Sequence, residues 1–250
     1  MFIDTHCHLS KEDYDDIDLV LKENRDAGIS KIVVSGCEIS NIDEVLDFAN
    51  RYEDVYITLG YHPSEVDSVT DSLLDDLKEK LKNPKVVGIG EIGLDYHYGK
   101  EGKQKQIELF EKQLKIAEEF NMTVVIHSRD ATEDTINCLK KYKVTGIIHC
   151  FSGSIETADI YIAMGYKLGI GGVITFKNSK LYEVVATIGL KNIVLETDSP
   201  YLAPVPFRGQ QNSSKYIPLI AKKVADVLGD TLENVAKVTT ENACNLFDLN

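Results

Sequence analysis

Short apolar runs alternate along the chain with longer stretches in which apolar residues recur every three or four positions. The first pattern predicts strands buried on both faces, and the second predicts amphipathic helices packed against them. The runs place strands at Phe2–His6, Lys31–Ser35, Val55–Leu59, Val86–Ile89, Thr123–His127, Gly146–His149, Tyr166–Ile170 and Ile193–Glu196. Helices are predicted between them at Tyr14–Ala27, Ile42–Tyr52, Asp71–Lys82, Lys103–Phe120, Ala131–Lys141, Ile155–Met164 and Leu181–Ile188. In Lys103–Phe120, the residues Ile107, Phe110, Leu114 and Ala117 share one face at helical spacing. Asn121 reads as that helix's stop, and Asn83-Pro84 ends the helix before it.

Strands separated by helices make parallel βαβ units, and eight regular units predict an α/β fold of the (β/α)8 TIM-barrel class. An open doubly wound sheet is the alternative. A Pro- and Gly-bearing loop, Ser199–Ser214, follows the eighth strand, and two extra C-terminal helices follow at Ile217–Leu228 and Leu232–Leu246. No linker or low-complexity tract interrupts the pattern, so residues 1–250 read as a single domain.

Composition narrows the functional classes. The formal net charge is −13. An acidic surface repels a long nucleic-acid backbone, so any nucleic acid must be held locally, by metal ions or a few Lys and Arg. The five cysteines are odd in number and form no C-x-x-C pair, which suits reduced thiols in the cytoplasm. Cys7 alternates with His6 and His8 and is expected to pack on the opposite face. Neither a basic apolar leader nor a run of membrane-spanning length is present, so no membrane partner is expected. Nothing in the pattern calls for an obligate protein partner.

Candidate chemistry sits at one end of the predicted strands. His6, His8, Glu91, His127, His149 and Asp198 all fall at or just past strand C-termini, where the active sites of such barrels lie. His6 and His8 share a strand face about 6.6 Å apart, and the last strand would bring Asp198 beside them on one ion. His127 and His149, on neighbouring strands, could hold a second. Glu91 lies between these groups in strand order and has two oxygens with which to bridge. Imidazole and carboxylate together suit zinc, manganese, magnesium or iron, and two such ions polarise a substrate and generate hydroxide. Asp198 and Glu91 are therefore the catalytic candidates, with Asp198 as general base.

The segments carrying these residues resemble a known family. Phe2-Ile3-Asp4-Thr5-His6-Cys7-His8-Leu9, Gly60-Tyr61-His62-Pro63, Gly88-Ile89-Gly90-Glu91-Ile92-Gly93-Leu94-Asp95-Tyr96, Ile126-His127-Ser128-Arg129-Asp130-Ala131, His149-Cys150-Phe151-Ser152-Gly153 and Glu196-Thr197-Asp198-Ser199-Pro200-Tyr201-Leu202-Ala203-Pro204 run nearly end to end. Together they resemble the TatD-type metal-dependent deoxyribonucleases, within the amidohydrolase-like barrels. The resemblance implies a barrel, a site for two divalent metal ions, the six ligands above, and hydrolysis of phosphodiesters in DNA, trimmed from a 3′ end. One departure concerns the last loop, where Arg208-Gly209 is followed by Gln210-Gln211-Asn212-Ser213-Ser214 and not by further basic residues.

Three residues are expected to contact substrate: His62 past the third strand, Arg129 past His127, and Arg208 in the last loop. Each has a plainer reading. His62 could fix its own loop, and either Arg could pair with a carboxylate. Asp95 could orient a ligand His or cap a loop. The Tyr96-His97-Tyr98 cluster reads as exposed loop, with nucleobase stacking as the minor alternative. Gly171-Gly172 either admits substrate close to the backbone or makes a tight turn. The rival function is hydrolysis at a carbonyl, by a dinuclear esterase, amidase or aminoacyl-tRNA deacylase. A catalytically silent binding protein is the third reading.

Overall fold

The structure, a computed structural model, describes residues 1–97, 99 and 101–249. Its strands are β1 (Phe2–Cys7), β2 (Ile29–Gly36), β3 (Val55–Leu59), β4 (Val86–Asp95), β5 (Thr123–Arg129), β6 (Gly146–Ile148), β7 (Lys167–Ile170) and β8 (Ile193–Leu195). They follow chain order in one sheet. The helices are α1 (Ile17–Asp26), α2 (Ile42–Arg51), α3 (Asp71–Lys80), α4 (Lys103–Phe120), α5 (Thr132–Leu139), α6 (Ile155–Ala163), α7 (Leu181–Ile188), α8 (Ile217–Leu228) and α9 (Leu232–Phe247). Contacts gather the chain into two compact units, Met1–Val34 with His149–Asn250, and Ser35–Ile148.

In the first unit β1 pairs in parallel with β2, and β7 with β8. The first and last strands also meet, as barrel closure requires. Thr5 Oγ1 donates to Leu195 O at 3.0 Å, and the amides of Asp198 and His8 reach His6 O and Ser199 O at 3.1 and 2.7 Å. The segment carrying His6 and His8 is thereby bonded to the segment carrying Asp198. Ile217, Ile220 and Val224 of α8 and Val235 of α9 are fully buried, so these helices complete the unit's core.

The second unit holds β3, β4, β5 and β6 in parallel order. On α4, Phe110, Leu114 and Ala117 are buried as expected, while Ile107 is only half-buried. Gln113, a polar residue of the same face, is buried as well. Its side chain accepts from Tyr61 N at 2.7 Å and donates to Tyr61 O at 3.0 Å. This satisfied pair fixes the backbone immediately before His62.

Two sequence expectations change. The fourth strand is predicted to end at Ile89 but runs to Asp95. Glu91 therefore lies within β4 and not past its end. Glycines disguise the strand: in Gly90-Glu91-Ile92-Gly93 they lower the apparent β propensity, yet a Cβ on Gly93 would lie 1.9 Å from His127 O. The first helix starts at Ile17 and not at Tyr14, because Asp16 caps it by accepting from Leu19 N at 2.9 Å.

Candidate metal centre

Each unit carries its own convergent group of ligand-type side chains. In the first, β1 supplies buried His6, its end supplies His8, the residue after β6 is His149, and the turn after β8 supplies Asp198. Asp198 Oδ1 lies 3.5 Å from both His6 Nε2 and His8 Nε2. The His149 ring packs 4.3 Å from that of His6, and one ligand atom each from His6, His149 and Asp198 falls within 4.8 Å of the others. Asp198 has φ 54 and Cys150, next to His149, has φ 46. Such left-handed backbone is unfavourable outside glycine and persists where surrounding bonds hold it.

Electrostatics prepare this group for a cation. Burial opposes ionisation of Asp198, but bonds from His6 and His8 and the nearness of His149 overcome it and hold the carboxyl well below its usual range. Three residues that the sequence reading does not single out complete the setting. Asp4 is fully buried, receives Thr197 Oγ1 at 2.6 Å and Thr197 N at 3.1 Å, and so fixes the residue before Asp198. Burial raises its pKa to about 6 against those bonds. Glu196 is fully buried, accepts from Cys150 N, and is pushed up to about 8 by burial. Period-two spacing was the available signal, since Asp4 alternates with His6 and His8, and Glu196 with Asp198.

In the second unit Glu91 on β4 and His127 on β5 meet directly. His127 Nδ1 is 2.7 Å from Glu91 Oε1, and its Nε2 is 3.1 Å from Asp95 Oδ2. Burial would drive His127 neutral, but the two carboxylates dominate and raise its pKa to about 9. His62 joins them: its ring lies 4.6 Å from that of His127, and its Nε2 is 3.9 Å from Glu91 Oε1. His62, Asp95 and His127 form a second group whose ligand atoms lie within 4.8 Å of one another. Both plainer readings of His62 and Asp95 also hold in part, since His62 Nδ1 accepts from Ser64 N at 3.2 Å and Asp95 Oδ1 accepts from His97 N at 2.8 Å.

The remaining candidates lie at the edges of these groups or outside them. Arg129 is the exposed last residue of β5, paired in register with Asp95. Arg208 is exposed and stacks on Phe176, its guanidinium carbon 3.7 Å from the ring centroid. Among the described residues it pairs with no carboxylate. Cys7 faces away from the ligands, its Sγ 3.6 Å from Val33 O. His97 is exposed beside Asp130, and Tyr98, the rest of that aromatic cluster, lies outside the described residues. Gly172 marks a close approach of backbone to backbone, since a Cβ there would lie 2.3 Å from Leu202 O. Among the described residues no helix is long and apolar enough to cross a membrane.

Imidazole and carboxylate donors converging at strand ends define a metal-dependent hydrolase on an eight-stranded α/β barrel. The comparisons with known proteins agree. The structure of YjjV, a TatD homologue from Escherichia coli K12, superposes with a TM-score of 0.93 at 32% identity, covering 100% of this chain and 98% of that one. The model of the family described as TatD related DNase matches residues 3–248. The metal-dependent hydrolase YabD of Bacillus subtilis (strain 168) is 40% identical over 100% of both chains, and YcfH of Escherichia coli (strain K12) is 34% identical over 99% of this chain and 96% of its own. The chain belongs to the TatD family and has its (β/α)8 fold, with the extra C-terminal helices.

Proposed function

We propose that this chain, as one domain over residues 1–250, is a metal-dependent phosphodiesterase that acts on DNA and trims it from the 3′ end. The observation that carries the hydrolytic part is the convergence of His6, His149 and Asp198 around an ionised carboxylate. Choice of DNA rests on the family's description as TatD related DNase. His6, His8, His149 and Asp198 would hold one divalent cation, and Glu91, His127 and Asp95 a second, with His62 at its edge. Magnesium, manganese or zinc fits these donors. Bound there, the cations supply Lewis-acid polarisation of the substrate and a water of lowered pKa.

The residues divide the remaining work. Asp198, kept ionised by its histidine neighbours, accepts at Oδ1 or Oδ2 the proton lost by the attacking water. The Asp4–Thr197 bonds hold that carboxylate in place. Glu196 accepts from Cys150 N and so holds the residue after His149. Arg129 and Arg208 are the candidate phosphate contacts, their planar donors matching phosphate oxygens.

Net charge favours a second reading. At −13 the protein repels polyanions in general, and the same water could attack a carbonyl in a small ester, amide or aminoacyl ester. A panel of phosphodiesters against neutral esters and amides, run with added magnesium, manganese or zinc, separates the two. Turnover confined to esters or amides would remove the phosphodiesterase reading.

A further inference from the structure

A cleft of about 530 Å³ lies in the first unit, lined by Ser152, Phe176, Lys177, Asn178, Lys180 and Arg208 among others. Three of its lining residues are cations, and no lining residue is a carboxylate. That is unusual in a chain of net charge −13. Elsewhere lysines are commonly neutralised, as in Lys22–Asp26, Lys105–Asp67, Lys112–Asp71 and Lys141–Glu111. Among the described residues, Lys177, Lys180 and Arg208 have no such partner. Three positive charges facing one concavity repel each other unless an anion joins them.

The walls are built and not merely loose loop. Val205 N donates to Thr175 Oγ1 at 2.9 Å, and Thr175 Oγ1 donates to Gly172 O at 2.7 Å. The loop after β8 is therefore bonded to the loop after β7, with the Gly172 contact beside it. Phe207 stacks on Tyr216 at 4.4 Å, which holds the residue before Arg208. Phe176 then supports the Arg208 guanidinium from one face and leaves its N–H edges available to a ligand. Ser152 and Gly153 of the cleft follow His149 closely in the chain, so its rim continues from a ligand-bearing segment.

We propose that this cleft is a second anion subsite, which holds a phosphate of a nucleic-acid strand beyond the phosphate being cut. The proposal rests on the phosphodiesterase reading and deepens it, because it specifies a substrate with more than one phosphate. It also accounts for how an acidic protein could retain a strand: attraction is concentrated in one cleft and not spread over a face.

The test compares wild type with the Lys177→Ala/Lys180→Ala double variant and with Lys177→Arg/Lys180→Arg. Affinity of the metal-loaded protein for a fluorescein-labelled phosphorothioate oligothymidylate is measured against salt concentration. Each lost phosphate contact should lower the slope of log affinity against log salt by about 0.7, so the double Ala variant should lose about 1.4 and the Arg variant little. In turnover, KM for an oligothymidylate should rise about tenfold more than KM for bis(4-nitrophenyl) phosphate, which carries a single phosphate. An unchanged slope, or equal losses on the two substrates, would overturn the subsite. If no phosphodiester is hydrolysed by wild type but the slope falls as stated, the cleft is a nucleic-acid phosphate site but not a subsite of cleavage, and the phosphodiesterase reading fails.

Discussion

At the residue scale the account turns on Asp198 and Arg208. Asp198→Asn keeps the side chain's shape but removes its charge and basicity. Turnover should fall by about 10²–10⁴, the range for a positioned proton acceptor. Circular dichroism should show unaltered folding, because Asn has the same shape as Asp and the backbone bond from Asp198 N to His6 O is kept. Near-normal turnover in a fully metallated variant would take Asp198 out of proton transfer. Arg208→Ala should raise KM for phosphodiesters and leave metal content alone, and Arg208→Lys should restore only part, since Lys offers no paired planar donors. A neutral ester should respond to neither, and an equal response would make the loop a matter of shape. The six candidate ligands could be proposed from the sequence because apolar runs predict strand ends near them, although Glu91 lies within β4 and not past its end. Asp4 and Glu196 share the period-two spacing of the candidate ligands, but that spacing does not show their partners, and Thr197 carries no charge to mark it. Asp4 and Thr197 meet only when the first and last strands lie side by side.

At the element scale, legibility followed caps. Lys103–Phe120, Leu181–Ile188 and Ile217–Leu228 match prediction end to end, and each stops at Asn121, Gly189 or Gly229 with positive φ. β4 was half missed because its glycines serve close strand approach and not propensity. Its extension matters to function, since it places Glu91 and Asp95 on one strand beside His127. Glu91→Ala should therefore lower metal content measured by elemental analysis. Wild type loaded with manganese should approach two equivalents, and loss from both sites in the variant is what a bridging carboxylate requires. Full occupancy in Glu91→Ala would end that role. The loop after β8 is stiff by the same logic of close approach. Gly172→Ala would drive a Cβ into Leu202 O, with an expected cost of about 1–3 kcal/mol. In a chain of this length that lowers Tm by roughly 2–12 °C. An unshifted Tm would mean that the contact yields freely.

At the scale of the whole molecule, charge and chemistry pull in different directions. The chain is acidic overall, yet the cleft lined by Lys177, Lys180 and Arg208 has no carboxylate in its lining. A substrate that bridges cations and cleft would reconcile them, and a short polyanion is such a substrate. The fold class was readable from eight strand–helix alternations, whereas substrate class was not, because the same donors serve phosphorus and carbonyl chemistry alike. The most direct measurement follows the products released from 5′- and 3′-labelled oligonucleotides by the metal-loaded protein in magnesium or manganese. The account predicts immediate release of labelled mononucleotide from the 3′-labelled strand, a descending ladder from the 5′-labelled strand, and loss of both on chelation. Intact strands under every metal, with turnover of neutral esters or amides by the same preparation, would contradict it.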